Sequence, residues 1–96
     1  MGAKKQLEYS ARFVANMEAI RMYIDSDNPG AANRVLQAVL STAEELADFP
    51  ALGHVGKRAG TRELVLSKYP YTIIYRLALK KINIVAVVHQ SRRHPS

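Results

Sequence analysis

The chain contains no cysteine and no tryptophan, and its second half contains a single acidic residue, Glu63. Without cysteine there can be no disulfide, no thiolate metal site and no cysteine nucleophile. That fits a reducing cytosol, so a cytoplasmic location is expected. No apolar run approaches the ~20 residues of a spanning helix, and the longest near the C-terminus is Ile84-Val85-Ala86-Val87-Val88. No membrane role is therefore expected. A secretory leader is not visible, because Lys4 and Lys5 lead straight into Gln6 and Glu8. Gln6 also stands where a myristoylation signal starting at Gly2 would need Ser or Thr. There is no phosphate-binding glycine loop, no zinc-type His-Glu-x-x-His helix and no nucleophile elbow. His54, His89 and His94 lack ligand spacing, so neither a metal nor another cofactor is expected.

What is present suits a globular protein. The 96 residues are 48% apolar, and residues 1–96 read as one domain. A chain this short buries roughly 60–65% of its unfolded surface, which leaves one core and little stability to spare. The net charge is +6, and it is distributed unevenly. Residues 1–50 hold five bases and seven acids, whereas residues 51–96 hold nine bases and one acid. Such asymmetry attracts an anionic partner, and RNA, DNA or an acidic protein segment would each qualify.

Hydrophobic periodicity divides the chain. Gln6 to Tyr9 alternates as a short strand and Ser10 follows, a residue type that caps the free N–H groups of a first helical turn. Phe13, Met17, Ile20 and Ile24 then fall on one helical face. Asp27-Asn28-Pro29-Gly30 ends that helix, and Pro29 suits the first position of a second one capped by Asn28. Val35, Val39, Ala43 and Leu46 carry the second apolar stripe, which stops at Phe49-Pro50. The glycine-rich stretch 51–60 reads as a loop. Thr61 to Ser67 alternates, Tyr71 to Leu79 is aromatic and β-branched, and Ile82 to His89 is nearly all apolar. These read as three strands, with Lys80-Lys81 as a hairpin turn. The predicted class is α+β in the order β-α-α-β-β-β. A helical hairpin packs on one face of a small antiparallel sheet. The far face is expected to be bare and positively charged.

The residues able to carry chemistry sit in the basic half: Arg62, Lys68, Tyr71, Arg76, His89, Arg92 and Arg93. Metal-free RNA cleavage needs a base, an acid and fixed positive charge on the phosphorane oxygens. His89 has the proton-transfer chemistry, Arg62, Arg92 or Arg93 can grip phosphate, and Tyr71 can stack on a base. Each residue also has a plain structural reading. His89 ends a core strand and can be fixed by a backbone hydrogen bond. Tyr71 and Tyr75 alternate with Ile73 as core residues do, Arg76 can reach an edge or pair with Glu63, and Arg92 and Arg93 lie in a polar tail.

Three segments in this order resemble the sheet region of RelE/ParE toxins. They are Gly60-Thr61-Arg62-Glu63-Leu64-Val65-Leu66, Tyr71-Thr72-Ile73-Ile74-Tyr75-Arg76 and Val87-Val88-His89-Gln90-Ser91-Arg92-Arg93. The N-terminal strand, Ser10 and the helical pair with Ala32 and Phe49-Pro50 are similar to the same family, so the resemblance spans nearly the whole chain. It implies the toxic component of a bacterial toxin–antitoxin module, neutralised by a cognate antitoxin whose C-terminal segment wraps it. RelE-like members cut messenger RNA on the ribosome, and ParE-like members inhibit DNA gyrase. Thr72 stands where RelE-like nucleases carry an arginine, and His89-Gln90-Ser91 resembles the His-x-Ser segment of ParE toxins. The resemblance therefore points first to a gyrase-binding toxin, with Arg62, Lys68, Tyr71, His89, Arg92 and Arg93 as its target-binding set. A metal-independent endoribonuclease is the alternative, with His89, Arg62 and Arg92 as catalytic residues. A degenerate toxin or a small nucleic-acid-binding domain remain as further readings.

Overall fold

The computed structural model describes residues 4–92. The elements are β1 (Gln6–Tyr9), α1 (Ala11–Asp25), α2 (Ala31–Asp48), β2 (His54–Val55), β3 (Arg62–Val65), β4 (Tyr71–Leu77) and β5 (Lys81–His89), followed by one 3-10 turn, Gln90–Arg92. The sheet order is β1-β5-β4-β3-β2, with β1 parallel to β5 and every other pair antiparallel.

Ser10 fixes the way into α1. Its Oγ accepts from the Phe13 N–H at 3.0 Å and donates to the Val85 carbonyl at 2.6 Å. Val85 is the residue left over at a bulge, since Ile74 pairs with Ala86 while Tyr75 pairs with Ile84. One hydroxyl thus satisfies a helix-end donor and a carbonyl next to a ladder irregularity. Where β1 stops, α1 takes over the exposed edge of β5, and Asn16 Oδ1 accepts from the Val87 N–H at 3.1 Å. Ser10→Ala should cost about 1–2 kcal/mol. A thermal melt followed by circular dichroism would check this, with Ser10→Thr recovering most of the loss.

The core lies between the hairpin and one sheet face. Phe13 and Ile20 come from α1, and Val35, Leu36, Val39, Ala43 and Leu46 from α2. Tyr71, Ile73, Tyr75, Ile82, Ile84 and Val87 come from β4 and β5. The two helices run as the apolar stripes require. Tyr9 stacks on Phe13 with ring centroids 5.1 Å apart. Burial, and after it the Glu44 carboxylate, push the Tyr9 phenol above its ordinary value, so that ring packs as a neutral group.

Four details differ from the sequence-based expectation. First, α2 starts at Ala31 and its cap is Gly30, not Asn28. Gly30 adopts φ 90, a left-handed turn that delays the helix beyond Pro29. Second, the 51–60 stretch is not all loop, since β2 pairs with β3 through His54↔Glu63 and Val55↔Arg62. Third, the sheet is mixed, because β1 runs parallel to β5.

The fourth concerns the far face, which is not a bare cationic surface. Register and alternation give it Glu63, Val65, Thr72, Ile74, Arg76, Ala86 and Val88, one base among mostly apolar residues. Thr72, flanked by Val65 and Val88, is fully buried, and so is Ala86. Basic residues instead cluster at the two ends of the sheet, where turns can hold them in water.

Candidate functional site

Two ends of the sheet must be distinguished. At one end, β4 begins with Tyr71 and β5 finishes with His89, and these two residues pair across the strands. Their rings meet edge to face, with centroids 5.2 Å apart and planes at 85°. The C-terminal half of α1 passes beside them. Together Ala19, Ile20 and Tyr23 of α1, Tyr71 of β4, Val88 and His89 of β5, and Ser91 line an open pocket of about 280 Å³. Its rim is amphipathic, since Tyr23 is 74% exposed while Ile20 and Tyr71 form a buried wall.

His89 is held by the turn that follows it. The Ser91 N–H donates to His89 Nδ1 at 3.1 Å, and Ser91 Oγ lies 2.8 Å from the same nitrogen. A backbone N–H can only donate, so Nδ1 is an acceptor and the neutral ring carries its proton on Nε2. The tautomer is thereby assigned from the hydrogen-bond network. The 3-10 turn itself is anchored by the Gln90 N–H to the Pro70 carbonyl at 2.8 Å. His89 in this form offers a single N–H donor to a partner.

The sequence-predicted residues do not all come together. Tyr71 and His89 share the pocket, and exposed Lys68 lies in the turn between β3 and β4 at the same end. Arg92 closes the 3-10 turn by its backbone. Arg93 lies outside the described residues. Arg62 is elsewhere. It pairs with Tyr75, which pairs with Ile84, five residues before His89 on β5. At ~3.3 Å per residue that is roughly 16 Å along the sheet.

Arg62 also has other work. Its Nη2 donates to the Gly53 carbonyl at 2.5 Å and the Ala51 carbonyl at 3.3 Å. Beside it, the Tyr75 hydroxyl accepts from the Gly53 N–H and donates to the Pro50 carbonyl, both at 2.9 Å. Arg62 and Tyr75 therefore pin residues 50–53 against the sheet. Arg76 donates to the Ala59 carbonyl at 3.2 Å rather than pairing with Glu63. Glu63 is buried and faces His54, Nε2 to Oε1 3.8 Å, and accepts from the Lys57 N–H at 3.3 Å. The pocket residues outside the sequence-predicted set are Ala19, Ile20, Tyr23, Val88 and Ser91. Ile20 looked like plain core, and exposed Tyr23 just off the apolar stripe was the available signal.

Among the described residues no group of three or more His, Cys, Asp or Glu side chains is placed to hold a metal. No helix among them is long and apolar enough to cross a membrane.

A two-helix lid on one face of a small open mixed sheet matches the architecture of the RelE/ParE superfamily toxins. The family model described as "ParE toxin of type II toxin-antitoxin system, parDE" matches residues 7–94. The chain is 34% identical over 93 residues to "Putative toxin Y4kP" of Sinorhizobium fredii, covering 97% of this chain and 96% of that one. It is 36% identical over 87 residues to "Toxin RelE2" of Caulobacter vibrioides, covering 91% and 97%. Its fold superposes with a TM-score of 0.82 on a chain of the chromosomal ParDE system of P. aeruginosa, at 20% identity, covering 90% and 96%. The chain belongs to the ParE toxin family of type II toxin–antitoxin systems, and its general role is that of the toxin.

Proposed function

We propose that this toxin arrests growth by binding and inhibiting DNA gyrase in the cytoplasm, and that a cognate antitoxin neutralises it. The contact surface is the end of the sheet that carries Tyr71, His89 and Lys68, and Arg92 and Arg93, which follow in the sequence, are further members of the proposed set. The observation that carries this reading is the state of His89. Its Nδ1 is occupied by the Ser91 N–H, which leaves an Nε2–H donor and no free lone pair on the ring. A general base must accept a proton, so this geometry suits recognition better than RNA cleavage. Arg62, the other proposed phosphate ligand, is tied to the 51–53 backbone at the opposite end. An apolar-walled pocket edged by a few donors is the usual form of a hot-spot socket for a partner side chain.

The ribosome-dependent endoribonuclease is the second reading, favoured by the edge-to-face pairing of Tyr71 and His89. One pair of assays separates the two. Purified protein should block gyrase supercoiling and leave translating messenger RNA intact. Codon-phased cuts in a ribosomal reaction, lost in His89→Gln, together with unimpaired supercoiling, would replace the gyrase reading with the nuclease.

A further inference from the structure

The end of the sheet opposite His89 has a surface that the proposed target contact does not use. Tyr75 and Arg62 clamp residues 50–53 onto the sheet, and β2 follows directly. Val55 of β2 pairs with Arg62, and Arg62 with Tyr75, so Val55 shares a sheet face with Tyr75 and, two residues on, with Leu77. Gly60 precedes β3 on the Leu77 side and contributes no side chain. The result is a shallow depression of about 260 Å³ lined by Val55, Gly60, Thr61, Arg62 and Leu77. Its apolar members are open to solvent, Val55 at 74% and Leu77 at 42%, and Leu52 on the clamped loop is 49% exposed.

Cations surround this apolar floor. Lys57 and Arg58 lie in the β2–β3 connection, Arg76 beside Leu77, and Lys80 in the β4–β5 turn, and all four are exposed. Arg76 leaves β4 on the face opposite to Leu77, and its guanidinium reaches the Ala59 carbonyl beside Gly60, so its charge meets the depression at the loop edge. Among the described residues Arg58, Arg76 and Lys80 have no carboxylate partner. Of the nearby carboxylates, Glu63 is buried beneath the loop and faces His54, and Glu8 is held by Lys81 at 3.2 Å.

From this arrangement we infer that the Val55–Leu77 depression and its cationic rim dock an acidic segment of the cognate antitoxin, with one aliphatic or aromatic side chain in the depression and carboxylates on the rim. The inference rests on the toxin–antitoxin reading of the chain and goes beyond it by naming the surface. Two other occupants fit less well. A second copy of the chain would bring the same cations against one another. A nucleic acid would gain from the rim but nothing from an aliphatic floor, where base-stacking surfaces use aromatic rings. An acidic amphipathic peptide satisfies both the floor and the rim.

The test is a titration of the cognate antitoxin, expressed from the frame beside this gene, onto the full chain. Leu77→Asp should weaken binding at least tenfold. Arg76→Glu should weaken it about fivefold at low salt and less at high salt, as a solvent-exposed charge requires. Both sites are exposed, so thermal melts should stay near the parent's, and the Arg76 variant keeps the test decisive if the Leu77 variant misfolds. Parent-like affinity in both folded variants would overturn the docking surface. So would a rim whose Arg76→Glu change abolishes binding of a 20-base-pair DNA duplex but leaves the antitoxin affinity untouched. If the parent itself does not bind the antitoxin, the toxin–antitoxin pairing fails, and that result is distinct from a failure of the variants.

Discussion

Gly53→Ala should lower the stability of this protein by roughly 3 kcal/mol or more. A Cβ at position 53 would sit 2.5 Å from the Glu63 carbonyl oxygen, 2.9 Å from its carbon and 2.8 Å from the Tyr75 hydroxyl. Two of these atoms are backbone of β3, so no side-chain rotation relieves the overlap. To make room, the 50–53 loop must lift. Lifting it breaks the Gly53–Tyr75 hydrogen bond and pulls the Gly53 carbonyl from Arg62. Buried donors and acceptors are then stranded on both sides, at about 1–3 kcal/mol each. For a domain whose total stability is of order 5–15 kcal/mol, this is a large fraction. At ~4–8 °C per kcal/mol, the melting temperature should fall by more than ~12 °C. Gly30→Ala is the internal comparison. Gly30 has φ 90 and nothing within 4 Å of a new Cβ, so it should lose only the ~1 kcal/mol of left-handed strain. Equal melting temperatures for the two variants would show that the loop is not pinned as described.

The same clamp explains which parts of the molecule could be read from the chain. Ser10, the stripe Phe13–Met17–Ile20–Ile24 and the stripe Val35–Val39–Ala43–Leu46 announce themselves by local spacing. So do β4 and β5, whose aromatic, β-branched and apolar content persists over seven and nine residues. The short strand β2 does not. His54 and Val55 are both exposed, two residues cannot display a period, and what makes them a strand is tertiary. Gly53 lets the loop lie on β3, and the Gly56 N–H closes the turn on the Thr61 carbonyl at 2.8 Å. Parallel pairing of β1 with β5 is likewise a product of where α1 travels, and the residues of β1 carry no sign of it.

The candidate site was half legible for a related reason. Tyr71 and His89 stand in strands whose register is set by the core, so their meeting follows from the strand lengths. Arg62 was grouped with them because it is basic and lies in the same half of the chain. Composition cannot say that β3 enters the sheet from the opposite end. Register separates Arg62 from His89, and the two carbonyls it holds explain why a guanidinium stands in a half-buried position. The excess positive charge is thus divided between two ends of the sheet. One end is offered to the proposed target and the other to the proposed antitoxin.

Ala19→Trp is the corresponding test of the pocket, and it should reduce gyrase inhibition by about 100-fold, the loss expected when a hot-spot socket is filled. Ala19 is an exposed position on α1 and lines the same pocket as Tyr71 and His89. An indole there would occupy the space that a partner side chain would enter and would rest against the pocket wall of Ile20 and Tyr71. The helix propensity cost of Trp against Ala is a fraction of ~0.7 kcal/mol, so the melting temperature should move by only a few degrees. The variant thus separates loss of function from loss of fold, which His89 substitutions cannot do as cleanly because His89 also organises the Gln90–Arg92 turn. Dose–response curves in a supercoiling assay give the inhibition, and circular dichroism melts give the fold. A folded Ala19→Trp protein that inhibits gyrase as strongly as the parent would move the target contact away from this pocket. The open sheet face of Val65, Ile74 and Val88 would then be the next surface to probe. Val65 and Ile74 there are partly exposed apolar side chains not already assigned to a partner.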